Sequence, residues 1–399
     1  VGTSQIVITG AGVVSAIGLN KSDTLASLRA QRGGIAPVRY LGTAHTELPV
    51  GEVPLSDAEL AAGLGIDADA PMVRTSLLGM WALREALQQA QLSTADLSQA
   101  AFISGTTVGG MDKSELFYTD FLSGDNHREY IALHDCGAST DLIADHFGRF
   151  ALTTTPSTAC SSAANAVILG AEMLRAGMFE CVVVGGSECL SKFHLNGFNT
   201  LMILDHEPCR PFDDTRAGLN LGEGAGYLVL ETEASARRRG APPLARLSGY
   251  GNACDAFHQT ATSADGEGSY RAMKQAIERA GLSPDRIDYI NAHGTGTPNN
   301  DASECAAMRR LFGAQVPPFS STKGYTGHTT SASGAVEAVI SLLALQHQFL
   351  PVNLRWQHLM PEGLKPVTDE TPLRPLHHVL CNAFGFGGND SSMLFSAIE

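Results

Sequence analysis

Three residues of the 399-residue chain pair reactive side chains with neighbours small enough to admit a substrate: Cys160, His293 and His328. Cys160 stands where an irregular Thr/Ser/Pro segment gives way to a run of Ala163, Ala164, Ala166, Val167, Ile168, Leu169, Met173 and Leu174. A stretch that is apolar all round reads as a helix buried in a large core. A cysteine at the first turn of such a helix feels the positive end of the helix dipole, and the expectation is a thiol pKa lowered toward neutrality. Most free cysteines are inert small hydrophobes; position and partners set this one apart. His293 follows the strand-like IDYINA and opens HGTGTP, and His328 opens a second small-residue helix. A neutral imidazole offers an N–H donor to a developing oxyanion. His194, His206, His347, His358, His377 and His378 lack such surroundings and read as loop or capping residues.

The elements that must carry these groups occur twice. STACSSAANAVILGAEML, with Cys160, is echoed by YTGHTTSASGAVEAVISLL, with His328. LREALQQAQLSTADL is echoed by MKQAIERAGLSPDRI, AAFISGTTVGG by DYINAHGTGTP, and LGEGAGYLVLE by FGFGGNDSSMLF. The opening strand, with Gly10 and Gly12, is echoed by LARLSGYGN. A duplicated α/β unit implies two similar sheets related by a pseudo-twofold axis, and equivalent catalytic segments meet near it. The joint falls near Pro242 and Pro243, giving halves 1–243 and 244–399; the first holds the cysteine and its insertions, the second both histidines. Gly10-x-Gly12 is not a dinucleotide fingerprint: Ser15 replaces the third glycine and no acidic ribose partner follows. Thr75 to Gln91 is an amphipathic helix, Met111 to Arg149 a mixed insertion suited to a lid or subunit contact, and Phe193 to Asp214 a polar loop.

Bulk properties narrow the field. A net charge of −14 argues against nucleic-acid or anionic-membrane partners. Eight cysteines without CxxC pairs, and an opening without a secretory pattern, point to a reducing, cytoplasmic setting and away from disulfides or a metal site. No apolar run approaches the ~20 residues of a membrane-spanning helix.

TACSSA around Cys160, NAHGTGTPNND around His293, STKGYTGHTTSASG around His328 and NAFGFGGND near the end resemble the β-ketoacyl-[acyl carrier protein] synthases, condensing enzymes of the thiolase superfamily. The resemblance runs from the first strand to the last. It implies a thiolase-like α/β fold, with duplicated halves in five αβαβα layers. It implies a decarboxylative Claisen condensation of an acyl group held on Cys160 with malonyl-carrier protein, and no cofactor beyond the phosphopantetheine arm that delivers substrates. By the same resemblance the backbone N–H groups of Cys160 and Phe384 form the oxyanion hole, and His293 and His328 stabilise the enolate. Lys323 pairs with Glu337 to position the pocket, and Thr295 and Thr297 bind the pantetheine arm. Phe384 is the gate, Phe386 a gate or core aromatic, and Val108 limits acyl depth at a dimer contact. Partners are acyl carrier protein and a second ketosynthase-like subunit, identical or related.

Three features depart from the pattern. Only Arg74 stands where relatives carry a basic cluster, Met202 replaces an arginine, and the loop from Ile203 to Cys209 is short. Docking candidates are therefore Arg74, Lys192 and Arg210, with Arg210 alternatively holding Asp213 or Asp214. The short loop is similar to that of ketosynthases in aryl-polyene pathways. Two rivals remain: a thiolase, which would need a second catalytic cysteine where Phe384 stands, and a chain-length-factor subunit, which would lack Cys160.

Overall fold

The computed structural model describes residues 5–124 and 126–398. Its strands are β1 (Ile6–Ser15), β2 (Ala101–Gly105), β3 (Leu152–Thr154), β4 (Cys181–Glu188), β5 (Gly224–Thr232), β6 (Ala245–Cys254), β7 (Tyr289–Asn291), β8 (Phe319–Ser320), β9 (His378–Gly385) and β10 (Asn389–Ser396). They run in the order β3-β2-β4-β5-β1-β6-β10-β9-β7-β8. Read outward from the middle, each half places its first, fifth, fourth, second and third strand in turn. The pairing sense repeats too: two antiparallel ladders nearest the centre, then two parallel ones. Among the described residues, only the pairs Val7↔Arg246 and Ile8↔Ala245 join the two five-stranded sets.

The glycine pairs explain themselves as packing. A Cβ on Gly10 or Gly12 would stand 2.2 or 2.1 Å from the carbonyl oxygens of Ala86 and Ala82, in the helix Arg74–Ala90. On Gly249 or Gly251 it would stand 2.0 or 2.2 Å from those of Ala276 and Ala272, in the helix Glu267–Arg279. Both pairs let an outer helix seat its backbone on the first strand of its half, a use of glycine unrelated to phosphate.

The helices Ser162–Arg175 and Ser333–His347 fill the middle layer. Residues 333–345 are buried throughout, as expected of a helix walled in on every side. Ala164, Ala166 and Val167 share one core with Val336, Val339, Leu228 and Val379. Gly334 comes close enough to Ala164 that a Cβ would lie 2.9 Å from its neighbour's. The Arg74–Ala90 and Glu267–Arg279 helices cap the outer faces, completing five αβαβα layers.

Two sequence expectations change. The Phe193 to Asp214 stretch opens with a helix, Lys192–Thr200, whose first turn is capped by Ser191 Oγ accepting the His194 N–H at 3.1 Å. Its Asn, Gly and Thr content is unfavourable for helix, but Leu195 and Phe198, three apart, pack into a small cluster with Leu190 and Leu219. The 111–149 insertion forms the helices Met111–Gly124, Arg128–Ile131 and Cys136–Phe147. Among the described residues no helix is long and apolar enough to cross a membrane.

Candidate active site

Cys160 is presented by a strained turn. Ala159 holds φ +53°, a left-handed conformation costing a residue with a Cβ on the order of 1 kcal/mol. Ser162 Oγ accepts the Thr158 N–H at 2.9 Å and donates to Ala159 O at 2.6 Å, so the turn is fixed from within. Ser161 Oγ lies 2.8 Å from Asn389 Oδ1, tying the turn to the second half. Both serines act as helix-start hydrogen-bonders.

The thiol itself corrects the sequence reading. Cys160 is 5% exposed. Burial pushes its pKa up to about 11, against the pull of the Lys323 charge and of the Phe386 and Cys160 N–H groups, while Glu188 adds to the rise. The dipole argument fails for a physical reason: the sulfur is largely buried and stands two residues ahead of the helix, so desolvation of a thiolate outweighs the field. A nearby base is therefore needed, and His328 Nε2 lies 3.1 Å from Sγ.

Burial, with the Lys323 charge next, drives both active-site histidines well below the ordinary imidazole pKa. His328 adds to the effect at His293, and His194 at His328. Both rings are neutral at physiological pH. They meet edge to face, centroids 5.3 Å apart. Lys323 Nζ donates to Glu337 Oε1 at 2.5 Å and reaches His293 Nδ1 at 3.3 Å. An ammonium only donates, which assigns Nδ1 as acceptor and leaves the His293 proton on Nε2. Glu337 is pushed up to about 7 by burial, against the pull of Lys323.

Two buried carboxylates hold this arrangement, and the sequence reading missed both. Glu304, on the helix Pro298–Phe312, accepts the N–H groups of His293 at 2.9 Å and Gly294 at 2.8 Å, and Asn382 Nδ2 at 3.0 Å. Glu188, ending β4, accepts from Thr106 Oγ1 at 2.5 Å, from the Thr107 N–H at 2.9 Å and, across the halves, from Thr330 Oγ1 at 3.1 Å. Their signal was an acid inside an otherwise apolar run, where a charge survives only with several donors. His194 was set aside as a capping residue, yet it stands on a helix near enough for its charge to weigh on His328.

A cavity of about 310 Å³ opens over these groups, lined by Cys160, His293, His328, Thr295, Thr297, Phe384 and Phe386 among others. Thr295 Oγ1 and Thr297 Oγ1 are 2.8 Å apart. The two phenylalanines exchange the features assigned to Phe384. The backbone N–H turned to the Cys160 sulfur is that of Phe386, and the half-buried Phe386 ring stacks on Phe198 at 5.7 Å. Phe384 lies inside β9, 3% exposed, with its ring centroid 5.7 Å from that of His293. A strand interior holds Phe384 fixed, whereas Phe386 follows the strand and precedes Gly387, at φ +81°.

Val108 is buried among Leu77, Leu78 and Ile143 with its N–H on Glu188 at 3.3 Å, and does not line the cavity. Arg74 is no exposed docking residue. It is 7% exposed, bidentate to Glu223 at 2.6 and 2.8 Å, and paired with Asp57 at 2.7 Å. Lys192 and Arg210 are half-buried. Arg210 pairs with Asp205 at 3.1 Å rather than with Asp213 or Asp214, because the two carboxylate oxygens of Asp213 are taken by Thr215, Gln357 and His358. Cys381, the only cysteine near Phe384 in sequence, is sealed in the core.

Known proteins resemble the chain along nearly its whole length. Residues 3–236 match the N-terminal domain of beta-ketoacyl synthases and residues 244–357 the C-terminal domain. The 3-oxoacyl-[acyl-carrier-protein] synthase 2 of Staphylococcus aureus (strain N315) is 30% identical over 410 residues, covering 99% of each chain. That of a Synechocystis species is also 30% identical, covering 99% of this chain and 98% of its own. Among solved structures, the ishigamide ketosynthase/chain length factor superposes with a TM-score of 0.91 at 30% identity over all of both chains. The ketosynthase ApeO in complex with its chain length factor ApeC, from Xenorhabdus doucetiae, gives 0.86 at 30% identity, covering 99% and 98%. A beta-ketoacyl synthase from Burkholderia phymatum gives 0.87 at 28%, covering 99% and 100%. The chain belongs to the beta-ketoacyl synthase family of acyltransferases.

Proposed function

We propose that the chain joins an acyl group held on Cys160 to malonyl-[acyl carrier protein], with loss of CO₂, giving a 3-ketoacyl-[acyl carrier protein]. The carrying observation is the convergence of Cys160, from the first half, with His328, His293 and Lys323, from the second, on one cavity. In the first step Sγ attacks the acyl thioester carbonyl while its proton passes to His328 Nε2. The N–H groups of Cys160 and Phe386 hold the oxyanion, and the pantetheine thiolate leaves and takes the proton back. In the second step the malonyl thioester carbonyl faces the two neutral imidazoles. The Nε2–H of His293 stabilises the enolate left when the C–C bond to the carboxylate breaks, and His328, whose Nε2 is again an acceptor after acylation, packs edge to face against the His293 ring. The enolate carbon then attacks the acyl-Cys160 carbonyl, Sγ departs, and one proton from solvent restores the thiol. Lys323 and Glu337 hold His293 in its tautomer rather than carry protons.

Thr295 and Thr297 line the cavity, and their hydroxyls would bond the amide groups of the pantetheine arm. Lys192 and Arg210 supply the basic contacts for carrier protein, and Val108 acts on acyl length from behind the cavity. The halves run 1–243 and 244–399. The chain pairs with a second ketosynthase-like subunit; the two 30% identical structures that are ketosynthases with chain length factors favour a related partner over an identical one. That likeness, with the short 203–209 loop, supports an aryl-polyene or similar polyketide setting over housekeeping elongation. Cys160 makes this the reactive member of such a pair. All eight thiols are free, which fits a cytoplasmic enzyme. Intact-mass measurement after incubation with acyl-carrier protein tests the reading: one acyl mass on the Cys160 peptide is expected, and an adduct on any other residue would overturn it.

A further inference from the structure

At the far end of the helix Ser162–Arg175 from Cys160, about 20 Å away along its axis, a second cleft opens where the two sheets part. Among the described residues the β1–β6 pairing stops at Val7↔Arg246, and the ends of a middle-layer helix and an outer helix frame the gap with Arg175 and Arg279. The cleft measures about 310 Å³ and is lined by three arginines, Arg175, Arg246 and Arg279, and by no carboxylate among the described residues. In a chain of net charge −14 such a concentration of positive charge requires a reason.

Two of the arginines have a plain structural role. Each closes a helix and complements its dipole, and both lie against Tyr250, with guanidinium carbons 5.0 and 4.3 Å from the ring centroid. Arg279 also meets Glu172 at 2.5 Å, from outside the cleft lining. Arg246 has neither role. It comes from the centre of the sheet, and its Nε is shielded from water without a hydrogen-bond partner. A shielded guanidinium donor left unpaired destabilises the fold, and an acceptor that reaches the guanidinium relieves it. Beside it Ser248 Oγ and Ser396 Oγ, 2.7 Å apart, add hydroxyls to the wall.

We propose that this cleft binds a small phosphate-class anion, with Arg246 as the forked anchor and Arg175 and Arg279 as flanking charges. A planar guanidinium matches two phosphate oxygens at once, and flanking cations suit a ligand carrying two or more negative charges. The site is independent of the condensation chemistry, since no group that lines it lines the catalytic cavity.

Isothermal titration with inorganic phosphate, pyrophosphate and glycerol 3-phosphate, at constant ionic strength set with chloride, tests this. Saturable binding of at least one probe is expected in the full chain, with Arg246→Gln weakening it about tenfold or more. The double variant Arg175→Gln/Arg279→Gln, at exposed positions, should weaken it several-fold and serves if Arg246→Gln fails to fold. Cys160→Ala should bind as the unaltered chain does. Tighter binding of glycerol 3-phosphate than of phosphate assigns the site to phosphate esters, the reverse order to free anions. Absence of saturable binding, or equal affinity in the arginine variants, overturns the proposal.

Discussion

The two middle-layer helices begin alike and do opposite things. Each follows an irregular segment, lies buried between the sheets and delivers one reactive group to the same cavity: Cys160 ahead of Ser162–Arg175, and His328 ahead of Ser333–His347. The first start is tightened by Ala159 at φ +53° and by two serines, so that two N–H groups face the sulfur. The second is braced from outside. His328 shares its surroundings with His293, which Lys323 and Glu304 hold by a side-chain contact and by backbone N–H groups respectively. On the proposed mechanism the first half supplies the nucleophile and one oxyanion donor, the Cys160 N–H, and the second supplies the other, the Phe386 N–H, together with a base and its orientation. A duplicated scaffold specialises by changing one residue at an equivalent place and then changing what surrounds it.

Exchanging roles at the two starts breaks the comparison most severely. Cys160→Ala should lower condensation by about 10³-fold or more while malonyl decarboxylation persists, because enolate stabilisation belongs to the other half; radiometric CO₂ release reads the second and product formation the first. Lys323→Ala comes next. It strands the buried Glu337, which should cost roughly 3–5 kcal/mol of stability in chemical denaturation. Since burial already raises Glu337 to about 7, the sign is set. Below the unfolded carboxyl value the residue is protonated in both states; as pH rises through the window up to about 7, the unfolded chain ionises first and stability falls. In the lysine variant that decline should continue to higher pH, because the buried carboxyl loses the cation that lowers its pKa.

His293→Ala and His328→Ala sharpen the contrast. Each should slow condensation about 10²–10³-fold, but only His328→Ala should also slow acylation, because His328 alone touches the sulfur. Pre-steady-state acyl transfer followed by mass spectrometry separates the two. A smaller effect is expected from pH. With the thiol near 11 and both imidazoles neutral, alkylation of Cys160 by iodoacetamide should rise about tenfold per pH unit from 7 to 10. A plateau below pH 7 would instead mean a thiolate–imidazolium pair. Smallest of all, Arg210→Glu or Lys192→Glu should raise the KM for carrier protein, in a salt-dependent way, and spare turnover of a small acyl-pantetheine mimic. Equal loss with both substrates would make Arg210 a loop-holding partner of Asp205 and no more.

Much of the fold was legible because the sequence says it twice. The paired GxG strands, the repeated helices and the matched last strands foretold the mirrored strand order; that Gly10 and Gly249 seat a helix came only with the structure. The reactive trio was legible for the same reason, being at equivalent or motif-bearing positions. What escaped was set by depth. Nothing local in the sequence says that Cys160 is so deeply buried, so the dipole was given more weight than desolvation. Arg74 looked available because its partners Glu223 and Asp57 are distant in sequence. Phe384 and Phe386 are indistinguishable as letters in FGF, and only the end of β9 between them decides which amide turns to the sulfur.

One single-turnover experiment tests the division of labour most directly. His293→Ala is loaded with acyl-carrier protein, freed of excess donor, then chased with malonyl-carrier protein while the Cys160 peptide mass and CO₂ are followed together. The expected result is an acyl group that loads fully and stays on Cys160, with CO₂ release suppressed about 10²-fold or more relative to the unaltered chain. Discharge of the acyl group into a 3-ketoacyl product at the normal rate would contradict the account.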